Sequence, residues 1–258
     1  MRLASLGSGS KGNATLVQAG STVVLLDCGF TMRETCLRMA RHGVAPEDLA
    51  AVLVTHEHGD HVQGVLPLAR KFNLPVHMTV GTRLAMEATG RHRFNGVHMQ
   101  EVRLGQGFTI GDVEVLPVAV PHDAREPCQY LFSFQQHRVG VLTDLGEITP
   151  HVVNAYSHCD ALLLEFNHDV AMLEEGPYPA SLKRRVGGRW GHLNNVQAAQ
   201  LLQQVEQERL QHLVLSHISE QNNCPTLALD AAATVGGFAT QRVLVADQEQ
   251  GFDWLNVQ

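Results

Sequence analysis

The sequence predicts an α+β fold in which sheets are faced by helices. Two observations lead there. The opening runs look antiparallel, with short Gly-rich turns between them, and amphipathic helical stretches come later, so the chain is not a simple βαβ repeat. Several β-rich runs also end on Asp or His, which suits loops held at one edge of a sheet. Taken in order, short β-rich runs bounded by turn residues occupy 2–6, 14–18 and 22–27, then 51–55, 75–79, 113–118, 129–134 and 138–143. Further runs follow at 161–166, 212–216 and 242–246. Apolar positions recurring with a helical period predict helices over 31–42, 62–72, 82–89, 149–158, 194–209 and 226–234. No Pro-rich linker, low-complexity segment or internal repeat divides the chain. Its 258 residues suffice for one sizeable core, so a single domain spanning 1–258 is expected.

Composition narrows the function classes. The chain is 44% hydrophobic and 17% charged, ordinary for a globular protein, and its net charge is -7. The whole-molecule field therefore does not advertise a nucleic-acid partner, although a local basic stripe is compatible with an acidic protein. No apolar run approaches the roughly 18 residues of a spanning helix, so a membrane is not an expected partner. The first nine residues hold too short an apolar stretch for a secretory signal. The five cysteines are odd in number and form no CxxC pair, which argues against a disulfide framework or a zinc ribbon. A reduced, cytoplasmic protein is expected.

Residues 55–61 read Thr-His-Glu-His-Gly-Asp-His. His56, His58, Asp60 and His61 thus fall within six positions, directly after an apolar run. Side chains alternate along an extended chain, so His56 and His58 point the same way. Asp60 and His61, just past Gly59, can turn toward a neighbouring point about 3.5–4 Å away, the usual spacing of two-metal hydrolytic sites. A polar loop with unrelated histidines is the competing reading, and four donors at this density disfavour it. Other β-like runs end in Asp27, in His122 followed by Asp123, in Asp144 and in His217. Any one alone is more often a satisfied strand-end polar residue; five together suggest a site assembled at one sheet edge.

The order Asp27, His56-x-His58-x-Asp60-His61, His122, Asp144, His217 resembles the metallo-β-lactamase superfamily over nearly the whole chain. The resemblance implies a four-layer αββα sandwich with two metal ions at the sheet edge. It assigns His56, His58 and His122 to the first metal, Asp60, His61 and His217 to the second, and Asp144 to both. Asp27 would hold the His-rich turn by accepting its hydrogen bonds. Imidazole suits zinc, manganese or iron, and a bridging carboxylate keeps two like-charged ions together. A hydroxide held between such ions becomes nucleophilic near neutral pH. His58, in place of an acid, fits a hydrolytic site better than the flavo-diiron branch. Asp144 separates the chain from β-lactamases that use a Cys ligand.

Further features resemble the phosphodiesterase side of the superfamily. The loop from Ser5 to Asn13 is rich in Gly and Ser, and Ser8, Ser10, Lys11 and Asn13 are candidate substrate contacts through its N–H groups and cation; a flexible hairpin turn is an equal reading. Gly-His192-Leu-Asn-Asn precedes a helix, with Asn194 as N-cap, and resembles the motif by which tRNase Z-like enzymes supply a general acid. Histidine suits that task because its ordinary pKa is about 6.5. Residues 183–190, with four cations including Lys183 and Arg189, and with Trp190, could grip a nucleic-acid backbone; a solvated helix end over a packed aromatic is the plain alternative. Asn222 and Asn223 are polar contacts near His217, or simply turn residues before Pro225.

Together with Glu165-Phe-Asn-His168-Asp, these motifs resemble the YycJ/WalJ-like branch, associated with 5′-to-3′ exonuclease activity on DNA. Glu165 and His168, at the end of a buried run, would support the site. Two departures stand out. The chain is too short for the inserted second domain of the RNA-processing nucleases of this fold, and it has no long basic tRNA-gripping arm. The reading is a binuclear metal-dependent phosphodiesterase, with two zinc or manganese ions (or iron), acting as a DNA exonuclease, with catalysis resting on Asp60 and His192. A small-molecule hydrolase of cyclic phosphodiesters, thioesters or lactones is the alternative, and a non-catalytic metal carrier on the same fold is a third.

Overall fold

The computed structural model describes residues 1–236 and 243–258. Its first sheet is built from β1 (Arg2–Gly7), β2 (Ala14–Ala19), β3 (Thr22–Leu26), β4 (Leu49–Leu53), β5 (Val76–Thr79) and β6 (Met99–Val102). The second contains β7 (Phe108–Ile110), β8 (Val113–Ala119), β9 (Cys128–Phe134), β10 (His137–Leu142), β11 (Ala161–Glu165), β12 (His212–Ser216) and β13 (Val243–Val245). A last strand, β14 (Phe252–Asn256), returns to the edge of the first sheet and pairs antiparallel with β1. β1 to β3 are antiparallel neighbours and β3 to β6 are parallel; β7 to β10 are antiparallel and β10 to β13 parallel.

Adjacent residues in these strands feed different cores, and this produces four layers. In β3, Val23 and Leu25 pack under one set of helices while Val24 and Leu26 face the opposite sheet. In β12, Leu213 and Leu215 face the other helices while Val214 points between the sheets. A strand buried on both faces reads as a continuous apolar run, because both sides of its pleat are apolar. The first sheet is covered by α1 (Met32–Arg41), α3 (Val65–Phe72) and α4 (Val80–Ala88), whose Met39, Leu68 and Met86 are fully buried. A short α2 (Gly59–Val62) precedes α3. The second sheet is covered by α5 (Pro150–Tyr156), α8 (Asn195–Gln204) and α9 (Pro225–Ala233), with Tyr156, Leu201 and Ala228 against it. α6 (Val170–Glu175) and α7 (Ala180–Val186) lie between β11 and α8 in the chain. Helix–sheet–sheet–helix is the expected sandwich.

Several expected bounds shift for physical reasons. The helix read over 62–72 is divided at Gly64, whose N–H donates to the Cys28 carbonyl at 2.8 Å; a Cβ there would meet the Phe30 carbonyl oxygen at 2.3 Å. The run at 51–55 forms a strand only to Leu53: Val54 stays in the core, its N–H on the His77 carbonyl at 2.9 Å, and the chain bends at Thr55, whose N–H and hydroxyl bond Asp27. The helix read over 194–209 ends at Gln204, where Val205 turns extended and the Glu206 N–H bonds to the Ser157 hydroxyl. Arg242, at the start of the run read over 242–246, lies outside the described residues. β6, β7, β14, α6 and α7 are additions to the elements read from the sequence. All five cysteines are free, and among the described residues no helix is long and apolar enough to cross a membrane.

Candidate metal centre

The site lies where strand ends from both sheets meet. Asp27 follows β3, His56 follows β4, Asp144 follows β10, Glu165 closes β11 and His217 follows β12. β8 runs antiparallel to β9 and so in the same direction as β10, and His122 follows it. Ligands in such folds collect beyond the carboxyl ends of the strands, where side chains from several strands converge. Residues 55–58 are loop, and His58 is the N-cap of α2. Asp60 and His61 sit on α2 itself. One backbone contact makes this possible: the Asn13 N–H donates to the Asp60 carbonyl at 2.8 Å, beside Gly29, where a Cβ would overlap that same oxygen. Only glycine fits where the chain passes so close.

The structure brings together every histidine and carboxylate expected to bind metal. One group is His56, His58 and His122; another is Asp60, His61 and His217; a third joins His56, His61 and Asp144. His56 Nε2 lies 3.0 Å from His58 Nδ1, which is 3.3 Å from His122 Nε2. Asp144 stands between the groups, with Oδ2 3.3 Å from His61 Nε2 and Oδ1 3.7 Å from His122 Nε2.

Outer partners aim the imidazoles inward. A carbonyl or carboxylate can only accept, so the ring nitrogen facing it must carry the proton. His122 Nδ1 donates to the Gly191 carbonyl at 2.9 Å and His61 Nδ1 to Asp27 at 2.8 Å. The Thr55 hydroxyl donates to Asp27 at 2.9 Å, leaving its oxygen to accept from His56 Nδ1 at 2.9 Å. His217 Nδ1 faces Glu165 at 3.3 Å. His56, His61 and His122 are thereby turned with Nε2 toward the centre, while His217 Nδ1 lies between Glu165 and the Asn167 amide nitrogen, the latter at 3.2 Å. His217 Nε2 and Asp144 Oδ2 are buried with no hydrogen-bond partner. Orphaned polar atoms inside a nitrogen and oxygen donor set are what a divalent ion would satisfy, and the residues present fit such an ion.

The charges are strongly coupled. Burial pushes Asp144 up, but His217, His61, His56 and His122 hold its carboxyl well below the usual carboxylate range. Burial pushes Asp60 up as well, and His61 and His217 outweigh it. Burial opposes protonation of His217, yet Asp144, Asp60 and Glu165 raise it to about 10. His61 is raised too, against burial, by Asp144, Asp27 and Asp60. His56 is lowered by burial and His61, and His122 falls to about 4, with burial the main cause.

Asp27 takes the position expected of it, accepting from the Thr55 N–H at 2.9 Å, the Thr55 hydroxyl and His61. Its φ of +58° is left-handed, a strain the three bonds offset. Asp27→Asn is expected to cost about 10- to 100-fold in metal affinity, because it removes the acceptor that sets the His61 tautomer. Chelator competition checks this; unchanged affinity would remove Asp27 from the site.

A cleft of about 360 Å³ opens over the donors, lined by Ser10, Tyr178, Leu182, Arg185 and His192 among others. His192 Nδ1 donates to the buried Glu165 at 2.6 Å and lies 3.6 Å from Asp144. Glu165 also accepts from the Leu145 and Leu193 N–H groups, both at 3.0 Å, so it is a rigid anchor. Asn194 is the N-cap of α8, bonding the Gln197 N–H at 2.9 Å. His168 is buried in the next layer, against Asn167.

The substrate-contact candidates separate. Ser10 reaches the cleft. Ser8 and Asn13 are buried: Ser8 accepts from the His217 N–H at 2.9 Å, and the Asn13 amide lies 3.3 Å from Asp60 and 3.1 Å from His61. They position donors. Lys11 is exposed and paired with Glu220 at 2.9 Å. Asn222 is buried, with its N–H on the Ser219 hydroxyl, and Asn223 bonds Asn195. In the basic run it is Arg185, not Arg189, that lines the cleft. Arg189 turns away to Glu147 at 2.8 Å, and Trp190 is 56% exposed, not packed. Asp123, paired with Arg185 and 3.6 Å from His58, has a larger part than its place beside His122 suggested. Its pairing with Arg185 spans 62 residues and leaves no local signal.

The family model described as "Beta-lactamase superfamily domain" matches residues 22–218. Exodeoxyribonuclease YycJ of Bacillus anthracis is 35% identical over 86% of this chain and 84% of its own length. Exodeoxyribonuclease WalJ of Streptococcus pneumoniae (strain D39) is 34% identical over 86% and 83%. Among solved structures, the metallo-β-lactamase fold protein YhfI from Bacillus subtilis superposes with a TM-score of 0.74 at 18% identity, covering 98% of each chain.

Proposed function

The chain belongs to the β-lactamase superfamily domain family, as a metal-dependent hydrolase of that fold, and from that premise we propose that it hydrolyses phosphodiester bonds of nucleic acid. The finer reading is a DNA exonuclease working 5′ to 3′ with two zinc or manganese ions. One observation carries it: two donor groups share Asp144 at the floor of a cleft whose rim holds a carboxylate-anchored histidine. Relatives named exodeoxyribonucleases support nucleic acid as the substrate class.

His56, His58 and His122 would hold one ion, Asp60, His61 and His217 the other, and Asp144 both. Bound there, divalent ions supply Lewis acidity and lower the pKa of water. The protein does the rest. Arg185, at the cleft wall, offers its guanidinium to the phosphate, and the Asp123 pair sets its direction. His192, with Nδ1 committed to Glu165, keeps Nε2 for the proton that passes to the leaving oxygen. Ser8, Asn13 and Asp27 fix the donors and do not touch substrate.

The test is hydrolysis of end-labelled single- and double-stranded DNA and RNA, with either 5′ end state, in zinc or manganese. Asp60→Ala, purified identically, controls for a contaminating nuclease. Stepwise release from the 5′ end, absent in the control, is expected. Intact oligonucleotides in every metal would overturn the polymer reading and direct assays to cyclic phosphates, thioesters and lactones.

A further inference from the structure

The outer face of α3 carries a second cavity, of about 520 Å³, lined by Gln63, Pro67, Arg70, Arg91, His92 and Arg93 among others, with no carboxylate in its wall. In a chain of net charge -7, three arginines gathered around one hollow are an exception. The guanidinium of Arg70 donates to the carbonyls of Arg93 at 2.6 Å and Asn95 at 3.1 Å. Those bonds hold the 91–95 loop against the helix without neutralising the charge. Several arginines elsewhere are matched, Arg38 with Glu34, Arg83 with Glu87, Arg189 with Glu147 and Arg209 with Asp160. Others such as Arg33, Arg103 and Arg125 also lack an ion pair among the described residues but do not gather around one hollow. Among the described residues, Arg91 and Arg93 have no ion-pair partner, and both are exposed. Like charges held together in a concave surface raise the local potential and favour an anion.

A short stretch of chain links this cavity to the metal cleft. Gly59 lines the cleft, the Gln63 N–H bonds the Gly59 carbonyl at 3.2 Å, and the Leu68 N–H bonds Gly64 at 3.0 Å. From the cleft wall to Arg70 the chain runs through α2, the turn at Gln63 and Gly64, and α3. About eleven residues at roughly 1.5 Å each place the two no more than about 16 Å apart. A strand with phosphates every 3.4 Å or more crosses that span in about five nucleotides or fewer.

We propose that the Arg70–Arg91–Arg93 cavity is a second binding site for the phosphate backbone of the substrate strand, holding the polymer away from the reacting bond. The inference rests on the nucleic-acid reading of the metal cleft. It accounts for cations that the reaction itself does not use.

The test is the double variant Arg91→Gln/Arg93→Gln, which leaves the Arg70 tether and all metal donors in place. Binding of a 20-nucleotide single strand is measured against salt in an Asp60→Ala background, and turnover in the otherwise native enzyme. The slope of log Kd against log salt is expected to flatten by about 1.4, about 0.7 for each phosphate no longer neutralised. KM for the 20-mer rises, while trinucleotide and bis(p-nitrophenyl) phosphate hydrolysis stay unchanged. An unchanged salt slope and KM would overturn this inference and leave the nucleic-acid reading standing. A native enzyme that hydrolyses the small ester but neither binds nor cuts any oligonucleotide would overturn both.

Discussion

Replacing Asp144 is expected to abolish activity and metal binding together. Among the described residues, Asp144 is the one carboxylate within 4 Å of rings from both donor groups, His122 on one side and His61 and His217 on the other. Removing an outer partner of a ligand costs about 10- to 100-fold in affinity, and removing a shared donor exceeds that at both positions. Asp144→Asn keeps the shape and removes the charge, so it separates lost coordination from lost packing. In the native protein, a divalent ion at about 100 times its Kd adds about 2.7 kcal/mol, equivalent to roughly 5–10 °C in Tm for a chain of this size. That metal-dependent rise should vanish in Asp144→Asn, with metal content near zero and turnover at background. A variant that keeps its metal and its rate would remove Asp144 from the centre.

The same carboxylates give metal loading a pH dependence. Asp144, Asp60 and Glu165 raise His217 to about 10, and His61 is raised by Asp144, Asp27 and Asp60. Both shifts favour the protonated ring in the metal-free fold, and metal loading has to displace those protons. Apparent affinity therefore falls as pH falls. The metal-free fold behaves in the opposite sense: stability from the raised His217 is complete below about 6.5 and is lost as pH rises toward about 10. Calorimetry in two buffers of different ionisation enthalpy reads the released protons directly.

Much of this was legible because strands buried on both faces read as unbroken apolar runs. An Asp or His within two residues of such a run marks the sheet edge, as Asp27, Asp144 and His217 do. β6 lacked that signature, exposing Gln100 and Glu101 at an edge, and β7 has only three residues. α7 buries none of its residues, so no apolar stripe announced it. Within the site, composition alone could not say which cation of 183–190 faces the cleft. Arg185 lies within α7, whereas Arg189 follows the Gly187-Gly188 turn and swings to Glu147. The Gly/Ser loop reads equally as a phosphate cradle or a plain turn. Its Ser8 and Asn13 instead turn inward to the donors, since both groups are buried and find their partners there.

Replacing His192 by alanine should separate proton transfer from metal binding. The ring is partly exposed at the cleft, held by Glu165 through Nδ1 and packed beside His217 with centroids 5.2 Å apart. It lies among the donors, so a role in holding metal has to be distinguished from a role as acid. General acid catalysis contributes about 10²- to 10⁴-fold, and only where the leaving group needs a proton. A nucleoside alkoxide needs one; p-nitrophenolate does not. His192→Ala is therefore expected to lower kcat on oligonucleotides by about 10²–10⁴, while bis(p-nitrophenyl) phosphate turnover and metal content change little. Equal losses on both substrates with metal retained would make the ring a positioning residue, and loss of metal would make it a ligand. Glu165→Gln extends the test, because the amide keeps the size but can no longer accept as a carboxylate from Nδ1. If the anchor sets the direction of Nε2, that variant should show the same leaving-group dependence, more weakly, with the fold intact.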